Sequence, residues 1–422
     1  MTDPQARLGK NTLWMVLSRF GAQGLAVVFT ILLARRLGIE GFGTYAFIAA
    51  IIFVANALTT FGTDMFLIRE IAAKGDLSRL PSALIVQLVL SILFIAAVWM
   101  FGAWIPNQSA EIVTALKIYC LALIPLAFFT IFTTALRGVQ RMDIYSLLNL
   151  IVSVMQIGIV LLPNINIVKL SALLLSVQII AAVFASFVCV MIIPNFWQAR
   201  NFSSLQLFSL LKQAGPIAWL TVLGMFYQRL NIYMLSAING AMETGIYSAA
   251  SRAVEASKTA HLAVFAAMYP ALAQAQTDTN HQSKWSEIFK ISWRALLVGA
   301  TIIALALFLL AKPLVTLLYG IEFAASAGVL QILAWVLIPF TVNTYLTLSL
   351  LASNRERLVG RALMVSLLGL LILNLWWIPA RGPEGSAWAV LVAECIQSTI
   401  LLVSAGSRVH LQGDVHELSE LS

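Results

Sequence analysis

Several charged side chains stand in the middle of long apolar runs, where hydrocarbon is the expected surrounding. Arg19 and Arg252 are two of them. An ionised group at the centre of a membrane helix costs about 2.5–3.5 kcal/mol on insertion scales, so such residues tend to face a hydrated cavity. The planar fork of arginine matches phosphate oxygens. These positions therefore predict binding of an anionic, phosphate-containing group inside a membrane.

The densest charged face lies in the run from residue 242 to 268. Arg252, Glu255 and Lys258 follow one another at intervals of three residues, so they share one side of a helix. Glu255 can pair with either cation but cannot neutralise both. Taken alone, this face keeps one net positive charge, which suits an anionic ligand.

A second polar stripe lies in the run from residue 12 to 34. Thr12, Arg19, Gln23 and Thr30 fall within about 40° of one another at 100° per residue. The run from 213 to 238 adds Arg229. The sequence thus predicts a cationic substrate-binding cavity formed by Arg19, Gln23, Arg229, Arg252, Glu255 and Lys258.

A structural interpretation of the same residues stays open. Arg252, Glu255 and Lys258 could form a charge cluster within one helix, and Arg19 could bind a backbone carbonyl. Two acids are candidates for ion coupling or for pairing with a cation of the cavity. They are Glu394, the one acid of the last apolar run, and Asp64. Pairing with an arginine of the cavity is the favoured role for Glu394.

No catalytic or metal-binding constellation is predicted. The three cysteines, Cys120, Cys189 and Cys395, stand singly in apolar runs, without metal-ligand spacing. No cofactor is expected, and a proton gradient, a sodium gradient or the membrane potential remain as possible energy sources. Neither a nucleophile constellation nor a phosphate-cradling glycine loop is present, so an enzyme is not expected.

Composition places the chain in a membrane. Of its 422 residues, 60% are hydrophobic and 10% are charged, whereas soluble domains carry about 25% charged residues. The net charge of +8 would suggest nucleic acid in a soluble protein. In a membrane protein it is better explained by basic loops on the cytoplasmic side, so nucleic acid is not an expected partner.

An all-α membrane protein of about 12 transmembrane helices follows from the apolar runs. Crossing the hydrocarbon needs about 20 apolar residues, and every backbone amide must be paired within the span. Loops on the same side of the membrane as the N-terminus contain about three times as many Lys and Arg residues as the loops on the other side. Because basic loops stay in the cytoplasm, both termini are predicted to be cytoplasmic. The predicted spans are 12–34, 42–63, 82–105, 111–136, 144–163, 170–194, 213–238, 242–268, 291–311, 327–351, 362–379 and 385–406.

The two halves of the chain echo each other. Gly38, Gly43 and Tyr45 are spaced like Gly240, Gly245 and Tyr247, and Leu-Ile-Pro occurs at 123–125 and at 337–339. Six spans in each half preserve the orientation, so the copies are parallel, as in rocker-switch transporters. We therefore predict an N-terminal six-helix bundle over 1–200, a C-terminal one over 201–408 and a cytoplasmic tail over 409–422.

Three stretches resemble a known family: LARRLGIEGFGTYA at 33–46, FGTDMFLIREIA at 61–72 and NGAMETGIYSAASRAVEA at 239–256. They are similar to the polysaccharide transporters, the Wzx-type oligosaccharide (O-antigen) flippases of the multidrug/oligosaccharidyl-lipid/polysaccharide (MOP) superfamily. The resemblance implies two six-helix bundles around a central cavity. It also implies export of undecaprenyl-pyrophosphate-linked oligosaccharide across a bacterial inner membrane.

The resemblance leaves the ion-binding role of one position open, because Asn231 stands where some relatives have aspartate. We expect the protein to be a monomer whose partners are the lipid-linked glycan, membrane lipids and polysaccharide-assembly proteins. The alternatives are a multidrug or other lipid exporter of the same superfamily and a membrane glycan polymerase or ligase. Cation exporters need a membrane acid in the cavity, and the first helix has none.

Overall fold

Helices joined by short turns make up the part of the chain that the computed structural model describes, residues 4–193, 204–277, 282–352 and 355–419. Side chains are described for residues 21–193, 209–215, 218–259, 293–348, 350–351 and 355–404. The α-helices are α1 (Pro4–Thr60), α2 (Thr63–Lys74), α3 (Leu80–Phe101), α4 (Ala110–Cys120), α5 (Leu123–Gly138), α6 (Met142–Val160), α7 (Ile167–Ile192), α8 (Ser204–Ile238), α9 (Ala241–Thr277), α10 (Gln282–Leu309), α11 (Ala311–Tyr319), α12 (Ser326–Ala334), α13 (Leu337–Ala352) and α14 (Glu356–Ser419); 3₁₀ turns cover Gly102–Trp104 and Ile321–Ala325.

Membrane-spanning helices are prominent among them. Within the described residues, six helices are long and apolar enough to cross a membrane, or up to eight if each of two bent pairs forms one span. Large apolar side chains such as Leu93, Met100 and Val183 lie on the surface, as expected where lipid is the solvent. The all-α membrane fold is thus confirmed, while the number of twelve spans stays a prediction.

Glycine marks the ends of predicted spans inside the two longest helices. Gly38 interrupts α1 with φ 68°, and Gly382 interrupts α14 with φ 54°. Both values lie in the left-handed region that glycine adopts without steric cost. Each kink falls between two consecutive predicted spans.

Two segments outside the predicted spans contain helix. Residues 312–326, predicted as an outer loop, contain α11, which is bent by 70° from the preceding helix, and a 3₁₀ turn. The predicted tail after residue 408 continues α14 as far as Ser419. Apolar length identifies a span but does not report where a helix bends or how far it continues past the hydrocarbon.

Two compact units divide the chain, Met1–Gly245 and Ile246–Ser422. In the first unit, Leu67 and Ile71 of α2 pack with Leu136 of α5 and Leu210 of α8 in one apolar cluster. In the second, a smaller cluster contains Leu350 and Val359 with Leu401. The predicted division into two six-helix bundles at residue 200 stays a prediction.

The first sequence echo corresponds to a helix contact inside the first unit. A Cβ on Gly43 would overlap the Ala241 carbonyl oxygen and crowd the Gly245 nitrogen. A Cβ on Gly245 would in turn overlap the Ile39 carbonyl oxygen. The second glycine of each copy therefore lets the two backbones touch, while the first glycine of each copy, Gly38 and Gly240, has a positive φ.

The second echo corresponds to a helix break that recurs in both units. α4 ends at Cys120 and α5 begins at Leu123, whereas α12 ends at Ala334 and α13 begins at Leu337. Each Leu-Ile-Pro therefore starts a helix, where proline is tolerated because first-turn amides have no partner in the helix. Both helices are 16 residues long.

Candidate functional site

The charged face of α9 begins with an ion pair within the helix. The Arg252 guanidinium Nη1 donates to Glu255 Oε2 at 3.0 Å, across the predicted spacing of three residues. The side chains are 26% and 33% exposed, so water or a ligand can reach both. The sequence left open which cation Glu255 would bind, and the structure shows it on Arg252.

A buried polar cluster lies in the same unit, between α13 and the second half of α14. Asn343 Nδ2 donates to Glu394 Oε2 at 2.6 Å and to the Glu394 carbonyl at 3.0 Å. Ser398 Oγ donates to Asn343 Oδ1 at 2.8 Å. Glu394 is 5% exposed, and a carboxylate so buried needs such donors to offset its lost hydration.

Lys258 connects the charged face of α9 with this cluster. Its Nζ lies 3.7 Å from Glu394 Oε1 and 4.4 Å from the centre of the Phe340 ring. The lysine side chain is 23% exposed, while that of Glu394 is 6% exposed. Glu394 therefore pairs with a lysine, where the sequence favoured an arginine, and an aromatic face adds a cation–π contact.

The four charged side chains of α9 and α14 have balanced charges. Arg252 and Lys258 contribute two positive charges, and Glu255 and Glu394 contribute two negative ones. The net positive charge expected from α9 alone is compensated by a carboxylate of α14. An anionic ligand that binds here must compete with carboxylates already in place.

The first unit holds another candidate, Arg229 of α8. This side chain is 9% exposed, and its guanidinium carbon lies 4.7 Å from the centre of the Phe53 ring. One turn later, the Tyr233 hydroxyl donates to the Ala50 carbonyl at 2.7 Å. Arg229 is thus held among side chains of α1 and α8 and belongs to a different unit from Arg252 and Lys258.

The remaining predicted residues are more scattered. Gln23 is half-buried on α1, and Asp64 lies in the first turn of α2, just after the break at Phe61 and Gly62. A carboxylate there is stabilised by the positive end of the helix dipole. The Arg19 side chain lies outside the described residues, so its role stays a prediction.

Sequence reasoning missed Asn343 and Phe340. Both lie in the first turns after the second Leu-Ile-Pro, and Asn343 is one of two amide side chains in the apolar stretch 327–351, the other being Gln331. A buried amide in a membrane helix needs a partner. That argument marks Asn343 as a candidate, but it could not identify Glu394, more than fifty residues away, as the partner.

Solved structures of other proteins have a fold similar to that of this chain. One is a structure described as "Lipid II flippase MurJ, inward closed conformation", with a TM-score of 0.75, 16% identity, and coverage of 93% of this chain and 87% of that one. Another is an inward-facing multidrug-resistance MATE transporter of the MOP superfamily, with a TM-score of 0.70, 12% identity, and coverage of 94% and 99%. The chain therefore has the same fold as these membrane transporters.

The family follows from sequence. A family model described as "Polysaccharide biosynthesis protein" matches residues 8–276. The chain belongs to this polysaccharide biosynthesis protein family, and it is a multi-pass membrane protein.

A curated relative adds a more specific likeness. This relative is the "Probable low-salt glycan biosynthesis flippase Agl15" of Haloferax volcanii, which is 25% identical over 208 residues, 49% of this chain. The matched region spans less than half of that relative's length, 42%. These relatives are described as flippases and transporters, not as enzymes.

Proposed function

We propose that this protein is a flippase that moves undecaprenyl-pyrophosphate-linked oligosaccharide units across a bacterial inner membrane by alternating access. Support comes from the family and from the glycan flippase among its relatives. The observation that carries the proposal is a pair of partly exposed cations, Arg252 and Lys258, on one face of a helix from an apolar run. Two cations within two turns of one helix offer separate donors to the two phosphates of a pyrophosphate.

The cytoplasmic location of both termini belongs to the same proposal. It places Asn107, in the turn before α4, outside the cell, and Gln140, in the turn before α6, inside. Cysteine at Asn107 should react with an impermeant thiol reagent in whole cells, and cysteine at Gln140 should not. The reverse labelling pattern would contradict the orientation.

Complementation of a strain that lacks its own flippase tests the function. Arg252→Ala should reduce glycan export strongly, because loss of one charge-assisted contact weakens binding by about 1.5–3 kcal/mol. Arg252→Lys should rescue only in part, because lysine lacks the paired donors of the fork. Arg357→Ala, at an exposed position near the start of α14, is the matched control and should export normally.

Arg19 extends the test to the first helix. The double variant Arg19→Ala, Arg252→Ala should abolish export at a normal protein level, measured by immunoblot. Normal export by this double variant would leave both arginines with structural roles. It would favour an exporter of a different solute, for which the buried acid Glu394 is the candidate binding group.

A further inference from the structure

The pairing of Lys258 raises a question about how a pyrophosphate could bind. A cation that already has a carboxylate partner is not available to a ligand until that pair opens. The two partners of this pair are held very differently, and the difference shows which of them can leave.

Glu394 is the fixed partner. Its Oε2 accepts from Asn343 at 2.6 Å, its backbone carbonyl also accepts from Asn343, and Asn343 is held in turn by the Ser398 hydroxyl, which donates to its Oδ1; Asn343 is itself 4% exposed. Displacing this carboxylate would leave the buried Asn343 amide unsatisfied, at a cost of about 1–3 kcal/mol. Glu394 therefore stays in place when a ligand arrives.

Lys258 is the mobile partner. Its 3.7 Å distance from Glu394 Oε1 exceeds the range of about 2.7–3.2 Å of a direct hydrogen bond. Its ammonium rests over the Phe340 ring, and nearly a quarter of its side chain is exposed. Four rotatable carbons let this ammonium move without any change in the helices.

We propose that Glu394, fixed by Asn343 and Ser398, is a built-in competitor that holds Lys258 in the empty transporter and takes it back when the lipid pyrophosphate leaves. This inference rests on the proposed function. Binding then exchanges one anionic partner of Lys258 for another, instead of filling a site of uncompensated positive charge. Two free cations in a weakly polar surrounding would bind a pyrophosphate tightly and release it slowly. The resident carboxylate weakens binding and thereby permits turnover.

Equilibrium binding of farnesyl diphosphate to the purified full-length protein in detergent tests the exchange, with farnesol as the uncharged reference. Glu394→Gln should tighten diphosphate binding about three- to tenfold. The glutamine carbonyl can still accept from Asn343, so that hydrogen bond remains while the negative charge and the acceptor that face Lys258 are lost. Structural damage would not raise an affinity, so a gain shows that the charge of Glu394 opposes diphosphate binding.

Lys258 must account for that gain. Lys258→Ala should weaken binding, and adding Glu394→Gln to Lys258→Ala should give no tightening, because non-additivity is the mark of a shared interaction. Glu322→Gln, at an exposed position in the same unit, is the control and should bind like the unaltered protein. If Glu394→Gln does not fold, Glu394→Asp, which moves the charge away from Lys258 by one methylene, should tighten binding by a smaller factor.

Two failures can be told apart. If the unaltered protein binds farnesyl diphosphate no better than farnesol, the pyrophosphate site and the competition are both wrong. If it binds the diphosphate and Arg252→Ala weakens that binding, yet neither Glu394 variant tightens it, the competition alone is wrong. A gain that persists without Lys258 would likewise overturn the exchange.

Discussion

The two copies of the glycine echo share glycine and tyrosine positions in their helices, but the side chains that follow differ in polarity and charge. A shift of 202 residues relates Gly43 to Gly245 and Tyr45 to Tyr247. The same shift places Ala50, Phe53 and Asn56 of α1 in the positions of the three charged residues of α9. The first copy thus has an apolar side chain, an aromatic ring and a neutral amide where the second has Arg252, Glu255 and Lys258.

The Leu-Ile-Pro copies differ in the same way. Counted from the shared proline, Phe340 and Asn343 of α13 correspond to Leu126 and Phe129 of α5. The copy in α5 is apolar at both positions, and the copy in α13 provides the ring beneath Lys258 and the donor that fixes Glu394.

The comparison distinguishes features that both copies share, which the fold requires, from the charged residues that only the second copy has. The glycine contact and the helix breaks involve both copies, so they belong to the shared backbone arrangement, which we call the frame. Buried charge is costly and contributes little to stability unless fully paired, and the frame forms in the first copy without it. We therefore propose that the charges of the second copy serve the substrate.

The largest effect is expected at the shared frame. Gly43→Val should destabilise the protein severely and abolish export, because a side chain there overlaps the Ala241 carbonyl and forces two backbones apart. Gly24→Ala is the control: no atom of the described residues lies within 4 Å of its added Cβ, and alanine favours a helix. Thermal unfolding in detergent measures both, and a Gly43→Val protein that unfolds normally would show that the close contact is dispensable.

A smaller effect on stability and a large one on export are expected at the charges. The double variant Lys258→Met, Glu394→Gln removes both charges, and the glutamine carbonyl can still accept from Asn343, so no buried donor is left unsatisfied. It should be produced at a normal level and melt near the unaltered protein, yet export no glycan. Normal export would show that the pair serves only to join α9 to α14.

The smallest effect is expected at the counterpart of Lys258 in the first copy. Asn56→Ala should change export less than about threefold, because its side chain makes no hydrogen bond among the described residues, and the Thr59 hydroxyl donates to its backbone carbonyl. Surface or half-buried substitutions that break no side-chain contact usually cost less than about 0.5 kcal/mol. An export loss as great as that of Lys258→Ala would show that both copies contact the substrate.

Much of this organisation could be predicted from sequence. Apolar runs identified membrane helices, glycine spacing revealed the repeat, and charges three residues apart placed Arg252, Glu255 and Lys258 on one face. These are local patterns, fixed by helical geometry. The pairing of Lys258 with Glu394, and the anchoring of Glu394 by Asn343, join residues more than fifty positions apart, and only the packing of α9, α13 and α14 shows them.

The sequence analysis also did not predict the breaks in the helices. Predicted spans 111–136 and 327–351 are each interrupted, before Leu123 and before Leu337. Continuous hydrophobicity conceals a break, because residues on either side of it remain in the same apolar surrounding. The proline of each Leu-Ile-Pro was the available signal, since proline favours the first turn of a helix over its interior.

The central claim is that cations of the second copy hold the pyrophosphate of a lipid-linked glycan during flipping. The most direct measurement is translocation of a fluorescent undecaprenyl-pyrophosphate-linked sugar by the reconstituted protein in liposomes. Arg252→Ala, Lys258→Ala should lower the rate more than tenfold at equal reconstitution, because each lost charge-assisted contact is worth about 1.5–3 kcal/mol, while Arg357→Ala should leave it unchanged. A double variant that flips the substrate as fast as the unaltered protein would contradict the account.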